Sequence, residues 1–332
     1  MNCTNDQYYK TSDFKYPFFI VIYSLLFIIG LPVNIAACCY LVSSKANKRL
    51  SEVKIYMISL TLADLLYIML LPFWIDYYYH GGYWRFPAFT CSLFGSLFYI
   101  NTYSTLFFLS LISFTRYLAV SRPVKTAQSA QRNRGIGVTV LVWLLIVCCS
   151  LCILIDNKNH VNKRNDNTTS CFENYTEKNE KTQLLVIHSL MLLAFVVTLG
   201  AVIGNYVLII RRLSREQTAL RVPQHKLKKK AVRMVLTVLV IYMVCFLPYH
   251  LIQLPWMLLV LNVVHSNDCL FRKTFNDVHQ VTLGLMSINC VLDPVVYCFL
   301  TEDFRRYLRE LTCYCRDKCV LWSKLRSPSS CI

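Results

Sequence analysis

The chain has 332 residues, of which 55% are hydrophobic and only 16% charged, against about 25% charged in soluble domains. With a mean hydropathy of +0.43, that composition excludes an ordinary soluble domain. The formal net charge of +17 would suit a nucleic-acid binder, but Lys and Arg gather in alternate connections between apolar runs, the pattern of the positive-inside rule, so no nucleic-acid partner is expected.

At the N-terminus "MNCTNDQYYK" has neither a basic start nor an apolar core, so no cleavable signal peptide is expected and the first apolar run acts as an uncleaved anchor. Runs of membrane-spanning length with few or no charges cover about 18–42, 55–75, 88–115, 135–155, 183–210, 234–262 and 278–300, which predicts an all-α membrane protein, a bundle of seven transmembrane helices. Basic residues crowd the connections holding Lys45, Lys48, Arg49 and Lys54, then Arg116, Arg122, Lys125, Arg132 and Arg134, then 211–233. These connections are expected in the cytoplasm with the C-terminus, and the N-terminus outside, at the plasma membrane.

The expected organisation is an extracellular N-terminus over 1–16, a receptor-like bundle over 17–300, an amphipathic juxtamembrane helix over 301–312 and a cytoplasmic tail over 313–332. The N-x-[ST] acceptors Asn2, Asn167 and Asn174 all fall on the exterior side, as glycosylation requires. Of the 16 cysteines, Cys3, Cys91, Cys171 and Cys269 fall outside as well; an even number in an oxidising compartment favours pairing, with three connectivities open. The outer connection 156–182 is polar and suited to covering a site, whereas the basic 211–233 is suited to meeting a partner.

After Leu300, "TEDFRRYLREL" offers a Thr cap and then Phe304, Tyr307, Leu308 and Leu311 on one face, a helix that would lie along the membrane lipids. Cys313, Cys315 and Cys319 follow it and are candidates for S-palmitoylation.

Two placements carry chemistry. Within the apolar runs the only acidic side chains are Asp64 and Asp293. Interior carboxylates need a cation, a proton or hydrogen bonds, and Pro294 beside the second leaves a backbone carbonyl without its helical donor, a place to bend. In the outer half the runs offer Trp74, Tyr77 and Tyr78, then Phe98 and Tyr103, then His188, then His250, Gln253 and Trp256, then His279, Gln280 and Thr282.

No carboxylate stands among them, which argues against a biogenic amine. His250 and Gln253 share a helical face, as do His279 and Thr282, giving donors for a phosphate or ester. Neighbouring rings suit a quaternary ammonium. A zwitterionic phosphocholine lipid fits that set; a nucleotide, a lysophospholipid or a peptide remains an alternative, although a strongly anionic ligand would call for arginines that the outer halves of the runs lack.

The motifs converge in order: "GLPVN" with Asn34, "LTLAD" with Asp64, Cys91 opening the third run, "FTRYLAVSRP" closing it, Trp143, "CFLP" and "DPVVY". Together they resemble the rhodopsin-like G-protein-coupled receptors over about 18–311. The resemblance implies a hydrated cluster of Asn34, Asp64, Thr105, Asn289 and Asp293 able to hold a sodium ion as an allosteric ligand, and no other cofactor or metal. It implies that Arg116 meets Tyr206, Tyr297 and a heterotrimeric G protein in the active state, and that Phe246 and Pro248 form the toggle of the sixth helix. It also implies a Cys91–Cys171 disulfide, and related receptors use a second tether of the kind that Cys3 and Cys269 would make. Arrestin and receptor kinases are implied as further partners.

Two residues depart from the family pattern. Thr115 stands where an acidic neighbour of the arginine is usual, so one brake on Arg116 is missing, and Phe246 stands where a tryptophan is usual. "HLIQLPW", "FYINTYS", "RPVKTAQ" and "CFENY" further resemble the members that answer to an ether phosphocholine lipid, which implies Trp74, Phe98, Tyr103, Glu173, His188, His250, Gln253, Gln280 and Thr282 as ligand contacts and phosphoinositide and calcium signalling as output.

A transporter or proton channel could use Asp64, Asp293 and the histidines as a relay, but no inverted repeat is visible. An enzyme is not expected, since no H-E-x-x-H, nucleophile elbow or metal-spaced cluster occurs.

Overall fold

The computed structural model describes residues 13–42, 51–121, 128–156, 161–163, 169–171, 178–215, 222–260, 268–300, 304–310 and 313. Side-chain polarity is arranged inside out relative to a protein in water. Leu141, Leu144 and Leu145 are 66%, 58% and 52% exposed, while Asn34, Asp64, Thr105, Ser113 and Asp293 are fully buried. Only an apolar solvent makes that pattern stable, because in lipid the outward face must be hydrocarbon and polar groups find partners within the bundle.

The first crossing is α1, Lys15–Val42. The second is α2, Glu52–Ile68, capped by Ser51, whose hydroxyl accepts from the Lys54 N–H at 3.4 Å, followed by α3, Leu71–Tyr79. The predicted run 55–75 therefore breaks at Met69–Leu70, because Pro72 supplies no N–H to continue the ladder, and it reaches further out than hydropathy indicated. Beyond His80 the chain turns on Gly81 and Gly82, whose φ values of 65° and 82° are cheap only for glycine.

The third crossing is α4, Ala88–Ser121, six residues past its predicted inner end, so the whole of "FTRYLAVS" is helical. The fourth is α5, Gln128–Asp156. Within the outer connection, strands β1 (Val161–Lys163) and β2 (Thr169–Cys171) pair antiparallel with Val161 opposite Cys171, a hairpin that the polar composition of 156–182 did not disclose.

The fifth crossing is α6, Lys178–Arg215. The sixth runs through α7 (Val222–Ile241), a π-helical turn at Tyr242–Phe246 and α8 (Leu247–Val260). The wide turn directly precedes Pro248, whose missing N–H and bulky ring displace the ladder there. The seventh is α9, Cys269–Ser287, capped by Asp268, and α10, Asn289–Leu300, joined at Ile288. Among the described residues, six crossings are long and apolar enough to span a membrane by length and composition. The seventh carries Arg272, Lys273 and Asp277 near its outer end, which is why the predicted run began only at 278. Residues 304–310 form a further helical stretch, with Phe304 buried and its ring 5.0 Å from that of Tyr40 on α1.

Candidate functional site

Between the outer ends of the helices lies a cavity of about 940 Å³, open mouth included. Trp74, Phe98, His188, Gln253 and Gln280 line it as the sequence indicated. Other lining residues, Lys15, Phe19, Tyr23, Tyr67, Tyr99 and Tyr249 among them, were not singled out from sequence. The disulfide Cys91–Cys171 roofs it, with Cα atoms 5.9 Å apart, and Tyr77 pins the same loop by donating to the Cys171 carbonyl at 3.3 Å. Among the described lining residues there is no carboxylate.

One wall is a chain of locked side chains. Trp256 donates its indole N–H to Asn276 Oδ1 at 2.7 Å and lies face to face with His279, centroids 4.1 Å apart. The His279 Nε2 then meets Gln253 Oε1 at 2.6 Å. Because a carbonyl oxygen only accepts, this contact assigns the proton to Nε2. Gln253 Nε2 and His279 Nδ1 are buried with no partner among the described residues. An unpaired buried donor costs about 1–3 kcal/mol, a cost that a ligand oxygen on the Gln253 amide would remove.

Three predicted contacts do not line this cavity. His250 is 3% exposed; its Nδ1 donates to the Phe246 carbonyl at 2.8 Å, which leaves Nε2 to accept from the Tyr103 hydroxyl at 3.3 Å. Its ring stacks on Phe195 at 4.0 Å, and it borders a narrower crevice that Met191, Leu192, Leu254 and Met257 line together with His188, Tyr249 and Gln253, which also line the cavity. Sharing a helical face with Gln253 did not give it the same depth, and burial obliges both of its nitrogens to find partners inside the bundle. Tyr103 is occupied by that contact, and Thr282 donates to the carbonyl of His279 on its own helix at 2.8 Å. Glu173 lies outside the described residues.

Deeper, the polar cluster assembles around the seventh crossing. Asn101 donates to Asp64 Oδ1 at 2.8 Å, and Thr105 donates to Asp293 Oδ2 at 3.2 Å. Asn289 donates to the Thr105 hydroxyl at 3.2 Å. Asp64 Oδ2, Asp293 Oδ1 and Asn289 Oδ1 are left as buried acceptors without a donor among the described residues. Asn101 was missed from sequence, since a neutral amide beside Thr102, Tyr103 and Ser104 does not stand out as a carboxylate does.

Asn34 Oδ1 is likewise a buried acceptor with no donor among the described residues, and the amide nitrogen of the same side chain has a part that the sequence did not disclose. Its amide donates to the Cys290 carbonyl at 2.8 Å and to the Gly30 carbonyl at 3.0 Å. Cys290 is the residue four before Pro294, so Asn34 caps the carbonyl that the proline leaves without a helical donor. The close approach of α1 that this needs is permitted by Gly30, where a Cβ would stand 3.1 Å from Ile68 Cδ1 and 3.2 Å from Val291 Cγ2.

At the sixth crossing Phe246 is fully buried, 5.7 Å from the ring of Tyr242, and Tyr242 donates its hydroxyl to the Leu106 carbonyl on α4. Pro248 is half-buried beside it. At the inner end the Thr115 hydroxyl donates to its own helix at Ile112, and Arg116 Nε is buried without a hydrogen-bond partner. Tyr206 packs against the main core; the side chain of Tyr297 lies outside those described. A clasp nearby joins α2 to α5: Arg134 Nε reaches Glu52 Oε1 at 3.1 Å and its Nη2 reaches Oε2 at 2.5 Å, while Tyr56 donates to Glu52 Oε1 at 2.9 Å. Cys313 is exposed. Asn2, Asn167, Asn174, Cys3, Cys315 and Cys319, and the side chain of Cys269, lie outside the described residues.

Residues 33–297 match the family of 7 transmembrane receptors of the rhodopsin family. The platelet-activating factor receptor of Cavia porcellus is 41% identical over 302 residues, 90% of this chain and 86% of that protein. The corresponding receptor of Homo sapiens is 40% identical over 309 residues, 92% of this chain and 89% of that one. The G-protein coupled receptor 68 of Mus musculus is 32% identical over 295 residues, 89% of this chain and 76% of that protein.

Proposed function

The chain belongs to the rhodopsin family of seven-transmembrane receptors, a multi-pass membrane protein that signals through a heterotrimeric G protein and is no enzyme, and from that premise we propose that its ligand is platelet-activating factor, an ether phosphocholine lipid. The observation that carries the proposal is the make-up of the outer cavity: rings from several helices, and, among the described residues, no lining carboxylate and no partner for the buried Gln253 amide donor. Aromatic faces attract a trimethylammonium, the amide donor suits a phosphate or ester oxygen, and an amine ligand would lack its counter-ion. The relatives named for that lipid support the same reading.

The receptor stands in the plasma membrane with its N-terminus outside. Ligand binding favours one of two bundle arrangements by its differential affinity for them. The bend at Pro294, the π-helical turn before Pro248 and the cluster around Asp64 and Asp293 are the elements that repack. The unpaired oxygens of Asp64, Asp293 and Asn289 suit a sodium ion, which as an allosteric ligand supplies positive charge to two buried carboxylates and steadies the resting arrangement. Arg116, free of an acidic neighbour in sequence, turns to the G protein, with phosphoinositide and calcium signalling as the output. Arrestin and receptor kinases act on the cytoplasmic side, Asn2, Asn167 and Asn174 carry glycans, and Cys313, Cys315 and Cys319 are palmitoylated.

Calcium flux in receptor-null cells expressing the chain tests this proposal. Intact platelet-activating factor raises calcium and its lyso form, lacking the acetyl ester, does so weakly; a chain displayed at the surface and silent to the intact lipid would sink the ligand assignment.

A further inference from the structure

Tyr67, buried on α2, is the innermost described residue that the second crossing contributes to the outer cavity. Its hydroxyl reaches across to the seventh crossing and donates to Ser287 Oγ at 3.0 Å. Ser287 is fully buried and donates in turn to the Leu283 carbonyl at 3.1 Å, so one hydroxyl accepts from α2 and donates within α9. Tyr23 of α1 lines the cavity beside them and brings its own hydroxyl to the same pair. Ser287 is the last residue of α9 and Asn289 the first of α10, with the joint Ile288 between them. The Ile288 N–H bonds only three residues back, to the Leu285 carbonyl at 3.1 Å, a local tightening of the kind that marks a hinge. On one side of this joint Ser287 is tied to the cavity through Tyr67. On the other, Asn289 donates to Thr105 at 3.2 Å within the cluster of Asp64 and Asp293. Tyr67 and Asp64 stand three apart on α2 and share a face, so α2 meets the seventh crossing at two heights, one above the joint and one below it.

We propose that the Tyr67–Ser287 hydrogen bond is a latch on the α9–α10 joint that holds the bundle in its resting arrangement. Arg116 Nε is enclosed within the bundle, away from a cytoplasmic partner, so the arrangement in which this bond is made is the resting one. A bond made at rest and lost when the joint repacks weights the equilibrium toward rest by the difference between the two states. The Tyr67 ring lies 5.7 Å from that of Phe98, which also lines the cavity, so occupancy of the cavity bears on the latch directly. The inference concerns the receptor's own equilibrium and does not depend on which ligand fills the cavity.

The test is G-protein nucleotide exchange in the absence of ligand: uptake of a radiolabelled, non-hydrolysable GTP analogue by cell membranes bearing the full chain, counted per receptor displayed at the surface. Tyr67→Phe deletes the donor hydroxyl and keeps the ring, and Ser287→Ala deletes its acceptor. Interhelical hydrogen bonds in membranes correspond to a shift of about threefold on average and about twentyfold at most. Each variant should therefore raise basal uptake about threefold over wild type. The double variant Tyr67→Phe/Ser287→Ala should rise no further than Ser287→Ala alone, because the two deletions remove one bond. If one single variant is poorly displayed, the other carries the same prediction. A merely structural role would lower the inactivation temperature of both variants and leave basal uptake per receptor at the wild-type level, which overturns the latch. A fall in basal uptake, or a double variant whose rise is the product of the two single rises, overturns it as well.

Discussion

Replacing Asn34 by Ala removes the donor to the Cys290 carbonyl, a 2.8 Å bond between fully buried groups. The orphaned carbonyl costs about 1–3 kcal/mol by the general scale for unsatisfied buried groups, and interhelical bonds in membranes average lower, about 0.6 kcal/mol with a maximum near 1.7. We therefore expect about 1–2 kcal/mol from Asn34→Ala. If Asn34 works by capping the carbonyl that Pro294 exposes, Pro294→Ala should make the cap redundant, because the new N–H at 294 can donate to Cys290 within the helix. The double variant Asn34→Ala/Pro294→Ala should then be more stable than the sum of the two losses by about 1 kcal/mol, the size of interaction energies between contacting residues. The assay is thermal inactivation of solubilised receptor, followed by retained ligand binding or by a thiol-reactive dye. Strict additivity would show that Asn34 acts elsewhere and that Pro294 has no part in its role.

Three other outcomes follow from the same geometry. Gly284→Ala puts a Cβ 2.8 Å from the ring of Phe18 and should destabilise the α1–α9 contact by about 1–3 kcal/mol, as overpacking does, seen as a lower inactivation temperature. Glu52→Gln breaks the Arg134 clasp; with Arg134 half-exposed the loss should be about 1 kcal/mol or less, with ligand affinity unchanged in the same preparation. Replacing sodium by N-methylglucamine should raise agonist affinity of the wild type and leave that of Asp64→Asn unmoved, because the variant lacks one of the two carboxylates that the ion neutralises; a sodium response persisting in the variant would remove Asp64 from the ion's site.

Much of the architecture was legible because lipid leaves a coarse mark on sequence. Apolar runs of spanning length located the crossings, and two carboxylates inside them located the cluster. What stayed hidden was set by local backbone geometry or by depth. The break at Met69–Leu70 and the π-helical turn before Pro248 are responses to prolines that periodicity does not measure. The seventh crossing was read short because Arg272, Lys273 and Asp277 interrupt its outer turns, although Arg272 is buried and donates to the Leu259 carbonyl at 3.3 Å. The first helix begins at Lys15, three residues before the predicted run, because a charged residue lowers the hydropathy of a window without ending the helix. His250 and Gln253 differ by three residues, share a face and border one crevice, yet of the two Gln253 alone also lines the main cavity; spacing gives direction around a helix, not height within the bundle.

Saturation binding of radiolabelled platelet-activating factor to membranes bearing the wild-type chain and Gln253→Leu tests the central claim most directly. The cavity geometry predicts saturable binding to the wild type and a loss of about tenfold in Gln253→Leu at equal surface expression, the effect of removing one hydrogen bond to a ligand oxygen together with the partner of His279. Absence of saturable binding to a correctly displayed receptor, or affinity in Gln253→Leu equal to wild type, would contradict it.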